Sequence, residues 1–216
     1  MKKGFTILLL AIVIIFAVVI FMKLQGPNLS RYEALREPSI RMEPPHRVLV
    51  VEAKGAPAKI AHRAFGLLMK TYYGLKGVPK GGPFMAAPRG RWLVFDSMPQ
   101  TEWVGRYAIP VPDSIHDIKL PEAPPGFTIQ ITNWEYGDVA EILHIGPYSA
   151  EKATVERLRN FVHARGFRIV GEHEEVYLKG PGMFFKGNPK HYYTIIRYQV
   201  AKADFTATKP DTVRGQ

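Results

Sequence analysis

Two stretches of this chain repeat one pattern of predicted secondary structure. Residues 48–111 read as strand, helix, strand and strand, and residues 139–200 read the same way at nearly the same length. A pattern repeated twice predicts one domain built of two βαββ units that are related by a pseudo-two-fold axis. Ligands usually occupy the cleft between two halves of a domain, so the repeat also predicts a ligand cleft.

The spacing of apolar residues indicates the elements inside each unit. Helical spacing predicts helices over residues 58–73 and 150–165, and glycine follows each of them. Apolar runs rich in β-branched residues predict strands over residues 48–52, 139–145, 174–178 and 192–200. Antiparallel strands with helices on one face give an α+β fold, and the opposite face of the sheet is expected to be free for another role.

Proline-rich segments separate the predicted parts of the chain. Residues 24–46 hold four prolines and many charges, which predicts a stalk with a short helix near residues 29–37. Residues 112–127 hold four more prolines and are predicted to link the two copies. The domain itself is predicted over residues 47–201, followed by a disordered tail over residues 202–216.

The N-terminal residues 4–22 carry no charge and have about the length that an α-helix needs to cross a bilayer. This favours an uncleaved transmembrane anchor over residues 1–23. A cleaved signal peptide is the alternative, although its apolar core would be shorter and no A-x-A cleavage site follows. Lys2 and Lys3 precede the apolar run, which favours a single-pass membrane protein with its domain on the extracytoplasmic side.

The amino-acid composition limits the kinds of chemistry and the kinds of partner that this chain can have. The chain has no cysteine, so disulfides and thiolate chemistry are excluded. Its net charge is +10, but the lysines and arginines are scattered, and we expect a solvated basic surface and no nucleic-acid partner. The seven histidines form no H-E-x-x-H arrangement, and no nucleotide-binding or nucleophile motif is present, so we expect neither a metal site nor a cofactor.

Several short motifs, taken in order, resemble one known family. The strand Glu175-Val176-Tyr177-Leu178 precedes a Gly-Pro turn and the closing strand over residues 194–200. The turn over residues 144–148 reads H-I-G-P-Y, and residues 109–111 close the first copy with I-P-V. The chain resembles the GyrI-like small-molecule-binding domain, which is also the effector-binding domain of some multidrug-sensing transcription activators. The resemblance covers about residues 48–200.

This resemblance implies two βαββ units around a cleft that holds a small molecule. It also marks one departure, because this chain has Ile195 on the last strand where the family often carries an acidic residue. Aligning the ends of the two copies places Arg106 at the position equivalent to Ile195. The resemblance therefore implies a cleft that is less acidic than in other members.

The candidate ligand-binding residues follow from strand alternation. Tyr193 and Arg197 share a face with Ile195, so they are candidates to stack on a flat ligand and to pair with an anionic one. The alternative for both is an ordinary half-exposed sheet face. Glu175 and Tyr177 share a face of their own strand. Tyr177 suits a pocket wall, whereas Glu175 is either a ligand-orienting acid or general base, or one partner of a cross-strand salt bridge.

Three further residues complete the predicted site. Glu141 stands between apolar neighbours in mid-strand, which indicates either a site acid or the charge of an edge strand. Tyr148 follows the Gly-Pro turn and is predicted at the mouth of the cleft. Trp103 flanks a strand and belongs either to the core or to the cleft lining.

The leading functional hypothesis is a membrane-anchored module that binds an aromatic or amphipathic small molecule between its two halves. One alternative is a small hydrolase that uses Glu175 or Glu141 as a base, which the loss of the acid at Ile195 disfavours. The other alternative is a protein-interaction module that binds through its basic surface. Catalysis is not required by the leading hypothesis, and no catalytic residue is predicted.

Overall fold

The computed structural model describes residues 28–93, 99–116, 118–181 and 187–203. In these residues two α-helices and nine strands form the architecture. The helices are α1 (Pro57–Gly74) and α2 (Lys152–Ala164). The strands are β1 (Ser39–Glu43), β2 (His46–Lys54), β3 (Arg89–Leu93), β4 (Val104–Pro110), β5 (Phe127–Trp134), β6 (Gly137–Ile145), β7 (Phe167–Ile169), β8 (His173–Lys179) and β9 (Tyr193–Lys202).

The strands form one antiparallel sheet. Eight strands pair in the order β1-β6-β9-β8-β3-β4-β2-β5, and β7 pairs with the end of β9. The first half contributes β2, β4 and β3 and the second contributes β6, β9 and β8, and the two halves meet where β3 pairs with β8. This order confirms the α+β class and has the symmetry that two βαββ units require. Their origin by duplication stays a prediction.

Both helices cover the same face of the sheet, which we call the helix face. Helix α1 buries Leu68 and Tyr72 against Leu49 and Ile109 of β2 and β4, all fully buried. Replacing a buried leucine such as Leu68 with alanine lowers the free energy of unfolding by about 2–5 kcal/mol. The loss has two sources, the apolar surface that is no longer buried and the cavity that is left behind. Helix α2 packs its own apolar residues on β6 and β9 in the same way, namely Leu158 and Val162 against Ala140, Ile142 and Ile196.

The opposite face of the sheet is also covered, which differs from the expectation of a free surface. Residues 29–36 form a 3-10 helix whose Leu29, Tyr32 and Leu35 pack against an apolar cluster on β6, β8 and β9. Strand β1 then pairs with β6 at the edge of the sheet. Most of the segment predicted as a stalk is therefore part of the folded domain. Local composition could not show this, because the strands β6, β8 and β9 that order the segment lie 94 or more residues away along the chain.

The predicted membrane anchor, residues 4–22, lies outside the described residues. In the residues that the structure does describe, no helix combines the length and the apolar character needed to cross a bilayer. This finding contradicts the predicted single-pass membrane location with an extracytoplasmic domain.

Candidate functional site

The centre of the sheet, where β3 meets β8, carries the candidate site on its helix face. Because side chains alternate along a strand, His173, Glu175 and Tyr177 of β8 point to the helix face and their neighbours point away. Gly90 lies directly across from Glu175 in the β3–β8 register. A Cβ atom on Gly90 would overlap the ring of Trp92 and lie 3.1 Å from the Tyr177 hydroxyl oxygen. Glycine at this position therefore leaves room for the aromatic side chains beside Glu175.

Two glutamates form a carboxyl pair in this site. Glu151 immediately precedes α2, is only 8% exposed, and makes no capping hydrogen bond to that helix. Burial, then the charge of Glu175 and a hydrogen bond with its carboxyl group, raise the pKa of Glu151 to about 9. Glu151 therefore favours its neutral, protonated form, because a charge on it would be buried beside the carboxyl group of Glu175.

His173 completes this group of titratable side chains. Its Nε2 lies 3.1 Å from Oε1 of Glu175, and its Nδ1 lies 2.8 Å from the hydroxyl of Tyr198. One nitrogen of His173 and one carboxyl oxygen each from Glu151 and Glu175 lie within 4.8 Å of one another. Among the described residues, neither glutamate forms an ion pair with a lysine or an arginine. Within the described part of the chain, the acid pair thus has no lysine or arginine of the kind that usually neutralises buried carboxylates.

Tyrosines surround the acid pair. The ring of Tyr177 contacts Tyr148 and Phe65 edge-on, at centroid distances of 5.8 and 5.4 Å, and Tyr148 also contacts Tyr192 at 5.5 Å. Burial and then the negative charge of Glu175 raise the pKa of Tyr177 and of Tyr148, and Tyr177 hydrogen bonds with Glu175. Both hydroxyls therefore stay neutral. Tyr148 is 38% exposed and stands at the mouth of the site.

The opposite face of the sheet carries a second group of buried glutamates, which we call the ion-pair network. Arg197 lies at its centre and pairs with Glu141 at 2.7 Å, with Glu43 at 3.3 Å and with Glu174 at 3.4 Å. Arg41 and Arg91 add bonds of 2.5 and 2.6 Å to Glu141 and Glu174, respectively. Each of these glutamates therefore has at least two basic partners.

The pKa of Glu43 shows the effect of this pairing. Burial by itself would favour the neutral acid, but a hydrogen bond from His46 and the charges of Arg197 and Arg41 lower the pKa of Glu43 to about 2. A cavity of about 250 Å³ opens beside this network, and its lining includes Arg91, Arg106, Glu172, Glu174 and Arg197. The arginines there already have glutamate partners, so the cavity offers no uncompensated positive charge.

The structure divides the predicted site residues between the two faces. Tyr148, Glu175 and Tyr177 come together on the helix face. Four others lie on the opposite face: Glu141 and Arg197 in the ion-pair network, Arg106 paired with Glu52 at 2.9 Å and Glu172 at 2.7 Å, and Tyr193 packed with the apolar cluster under residues 29–36. Trp103 packs against the core beneath α1. Whether any of these residues contacts a ligand stays a prediction.

The register of β8 and β9 explains this division. Glu175 lies directly across from Ile196, and Glu174 lies directly across from Arg197. Residues that face each other across a strand pair project to the same side of the sheet, so Glu175 and Arg197 cannot share a cleft. The salt bridge considered for Glu175 exists instead at its neighbour Glu174, while Glu175 meets His173.

Two residues of the site, Glu151 and His173, are not among the predicted site residues. The histidines were set aside because they form no H-E-x-x-H arrangement. A signal for His173 was present, because it stands directly before the predicted strand over residues 174–178, and a strand longer by one residue would place it on the same face as Glu175. Nothing local connects Glu151 with β8, since 24 residues separate it from Glu175.

Comparison with known proteins gives the fold. The sequence matches no family model and no curated protein. Among solved structures, an uncharacterized conserved protein from Listeria innocua aligns with a TM-score of 0.59 and 19% identity, over 82% of this chain and 100% of its own. A hydrolase from Listeria innocua aligns with a TM-score of 0.57 and 18% identity, also over 82% of this chain and 100% of its own.

A third structure has the same fold. The C-terminal domain of EcmrR aligns with a TM-score of 0.55 and 12% identity, over 77% of this chain and 98% of its own. That domain has a GyrI-like fold. The described part of the chain therefore has the GyrI-like fold that its sequence motifs indicated.

Proposed function

We propose that this protein is a small-molecule-binding module whose helix-face site holds an organic cation with an aromatic or amphipathic body. The observation that carries this proposal is the buried pair of Glu151 and Glu175, which has tyrosines around it and neither lysine nor arginine bonded to it among the described residues. The fold shared with an effector-binding domain supports a binding role.

The physical reason is charge compensation. A cation about 4 Å from one carboxylate gains roughly 4 kcal/mol at an effective dielectric constant near 20. The tyrosine rings add a cation–π attraction of about 0.5–2 kcal/mol. An anionic ligand would instead meet the negative charge of the acid pair, so the site should discriminate by charge before it discriminates by shape.

Access to the site is consistent with a ligand that enters from solvent. The side chains of Glu175 and His173 retain 14% and 18% of their exposure, and Tyr148 is more open still. A ligand that approaches past Tyr148 is expected to meet the carboxyl pair and the aromatic rings beside it. The expected ligand is therefore amphipathic, with its charge innermost.

A thermal-shift experiment on the full chain tests this proposal. The probes are benzyltrimethylammonium, its neutral isostere neopentylbenzene, and the anion benzenesulfonate. Binding to the folded state raises Tm, and at ten times Kd the cation is expected to raise it by about 3–5 °C. The neutral and anionic probes should give much smaller shifts.

Matched variants locate the effect. Glu175→Gln keeps the shape of the side chain but removes its charge, and it should abolish the shift. Glu156→Gln removes an equal charge from an exposed position on α2 and should leave the shift intact. A shift of equal size for all three probes, or one that survives in Glu175→Gln, would overturn the proposed site.

A second candidate function is a small hydrolase, which the adjacent carboxyl groups of Glu151 and Glu175 favour. A carboxyl group with a raised pKa, such as that of Glu151, can act as a proton donor beside a second carboxyl group. One of the structures with a similar fold is the hydrolase from Listeria innocua. This candidate predicts turnover of an ester or related substrate that both Glu151→Gln and Glu175→Gln abolish, whereas a binding module leaves its ligand unchanged.

A further inference from the structure

Three titratable side chains of the site bring possible metal-ligand atoms close together. Nε2 of His173 and Oε1 of Glu175 are 3.1 Å apart, and the ligand atoms of Glu151, His173 and Glu175 all lie within 4.8 Å of one another. Two ligands about 2.1 Å from one metal ion lie roughly 3.0–3.4 Å apart when they occupy adjacent positions of an octahedron or tetrahedron. The His173–Glu175 distance falls in this interval.

An unsatisfied buried oxygen is the second, independent observation. Oε1 of Glu151 is buried and has no hydrogen-bond donor among the described residues. The residue is 92% buried, and its side chain makes no capping bond to α2 and is oriented toward Glu175. Such an orphaned acceptor is costly unless a proton or a cation occupies the space beside it.

The orientation of His173 fits the same role. Tyr198 on β9 holds Nδ1 at 2.8 Å, which leaves Nε2 directed at the carboxyl group of Glu175. When Nδ1 donates to the Tyr198 oxygen, Nε2 carries a lone pair. Metal-binding histidines are typically fixed in this way by a hydrogen bond at the other ring nitrogen.

We propose that Glu151, His173 and Glu175 bind a divalent transition-metal ion, of which Zn²⁺ and Mn²⁺ fit the ligand types best. Two carboxylates and a neutral imidazole balance a double positive charge, and this mixture of oxygen and nitrogen ligands suits borderline ions. Thiolate ligands are excluded because the chain has no cysteine. The described part of the chain supplies these three protein ligands, which leaves further coordination positions for water or for a ligand.

This inference goes beyond the proposed function and can be separated from it. Both the metal ion and an organic cation need the two carboxyl groups, so they are expected to compete. The two kinds of ligand are measured separately on the wild-type protein, the metal ion by calorimetry and the Co²⁺ spectrum and the organic cation by its thermal shift. Failure of one measurement therefore does not imply failure of the other.

The test measures metal binding to the full chain after treatment with EDTA and dialysis. Titration calorimetry with Zn²⁺ is expected to show one site with a Kd in the micromolar range or tighter. Co²⁺ provides an optical signature, because a four- or five-coordinate site absorbs visible light far more strongly than the hexaaqua ion. The test variant is His173→Gln, and the control variant His163→Gln removes an exposed histidine on α2.

His173→Gln is expected to weaken Zn²⁺ binding at least about 100-fold and to remove the Co²⁺ spectrum. His163→Gln should change neither. Tyr198→Phe, which retains the ring, should weaken Zn²⁺ about 10-fold or more through the lost histidine bond, and it provides the test if His173→Gln does not fold. The proposal would be overturned if the wild-type protein bound no Zn²⁺ at one defined site. It would also be overturned if His173→Gln and His163→Gln weakened Zn²⁺ binding equally. In that case a shift by the organic cation would leave the proposed function standing.

Discussion

The two faces of the central sheet both bury glutamates, but they neutralise them differently. On the opposite face Glu141 and Glu174 are 1% and 2% exposed, and each is bonded to two or more arginines. On the helix face, the partners of Glu151 and Glu175 among the described residues are one histidine and neutral tyrosines. In the first arrangement arginines neutralise the glutamates, whereas in the second no lysine or arginine among the described residues balances the negative charge.

Glu174 and Glu175 show this contrast in adjacent residues. They have the same side chain and share one strand, and alternation alone sends them to opposite environments. Glu174 enters the ion-pair network and Glu175 enters the acid pair. A buried charge is thus informative about function only after its partners are known, because a paired charge already has a structural role.

The largest effect on stability is expected from removing Arg197, the residue at the centre of the ion-pair network. Arg197→Met leaves Glu141, Glu43 and Glu174 with one arginine fewer, and a buried pair broken from one side costs about 3–5 kcal/mol. Urea unfolding at pH 7 should show a loss of this size. A loss below about 1 kcal/mol would mean that the network contributes little to folding.

Acid should weaken the network through Glu43. Its folded pKa is about 2 and its usual value is 4.5. The pairing therefore stabilises the fold fully above about pH 4.5, and the contribution of about 2–3 kcal/mol disappears as the pH falls toward 2. Glu43→Gln should be less stable than the wild type at pH 7 and nearly equal to it at pH 2. Parallel stability curves over this interval would contradict the assignment.

The acid pair predicts the reverse dependence. The folded pKa of Glu151 is about 9 against a usual 4.5, so the folded state keeps a proton that the unfolded chain has already lost. Stability of the metal-free wild type should therefore fall as the pH rises from about 4.5 to 9. Glu151→Gln should remove this fall and gain about 1–2 kcal/mol at pH 8 in EDTA, whereas the exposed control Glu156→Gln should follow the wild type. A destabilised Glu151→Gln at pH 8 would show that the acid pair is structural.

The smallest effect is expected at the mouth of the site. Tyr148 is 38% exposed, so Tyr148→Ala should change the free energy of unfolding by less than about 1 kcal/mol. Loss of one cation–π partner should weaken the binding of benzyltrimethylammonium about three- to fivefold. Affinity measured by fluorescence or calorimetry checks this prediction, and an unchanged Kd would place the ligand away from Tyr148.

Much of the fold could be predicted because the spacing of apolar residues along the chain indicates helices and strands. The predicted helix over residues 58–73 corresponds to α1 within a residue or so, and the predicted strand over residues 139–145 lies within β6. The strand β5 and the edge strand β1 were not predicted. Both lie beside or within proline-rich segments, and β1 acquires its role through a distant pairing with β6 that leaves no local periodicity.

The sequence by itself determined which residues of a strand point the same way. It joined Glu175 with Tyr177, and Tyr193 with Arg197, because alternation depends only on the backbone. Tertiary structure decided which of these sets faces the helices, since that choice depends on the register between β8 and β9 and on where α2 packs. It also brought Glu151 to Glu175 and gave Arg197 its three acids. A charge acquires its chemical role from neighbours that lie far away in the chain, and only folding selects those neighbours.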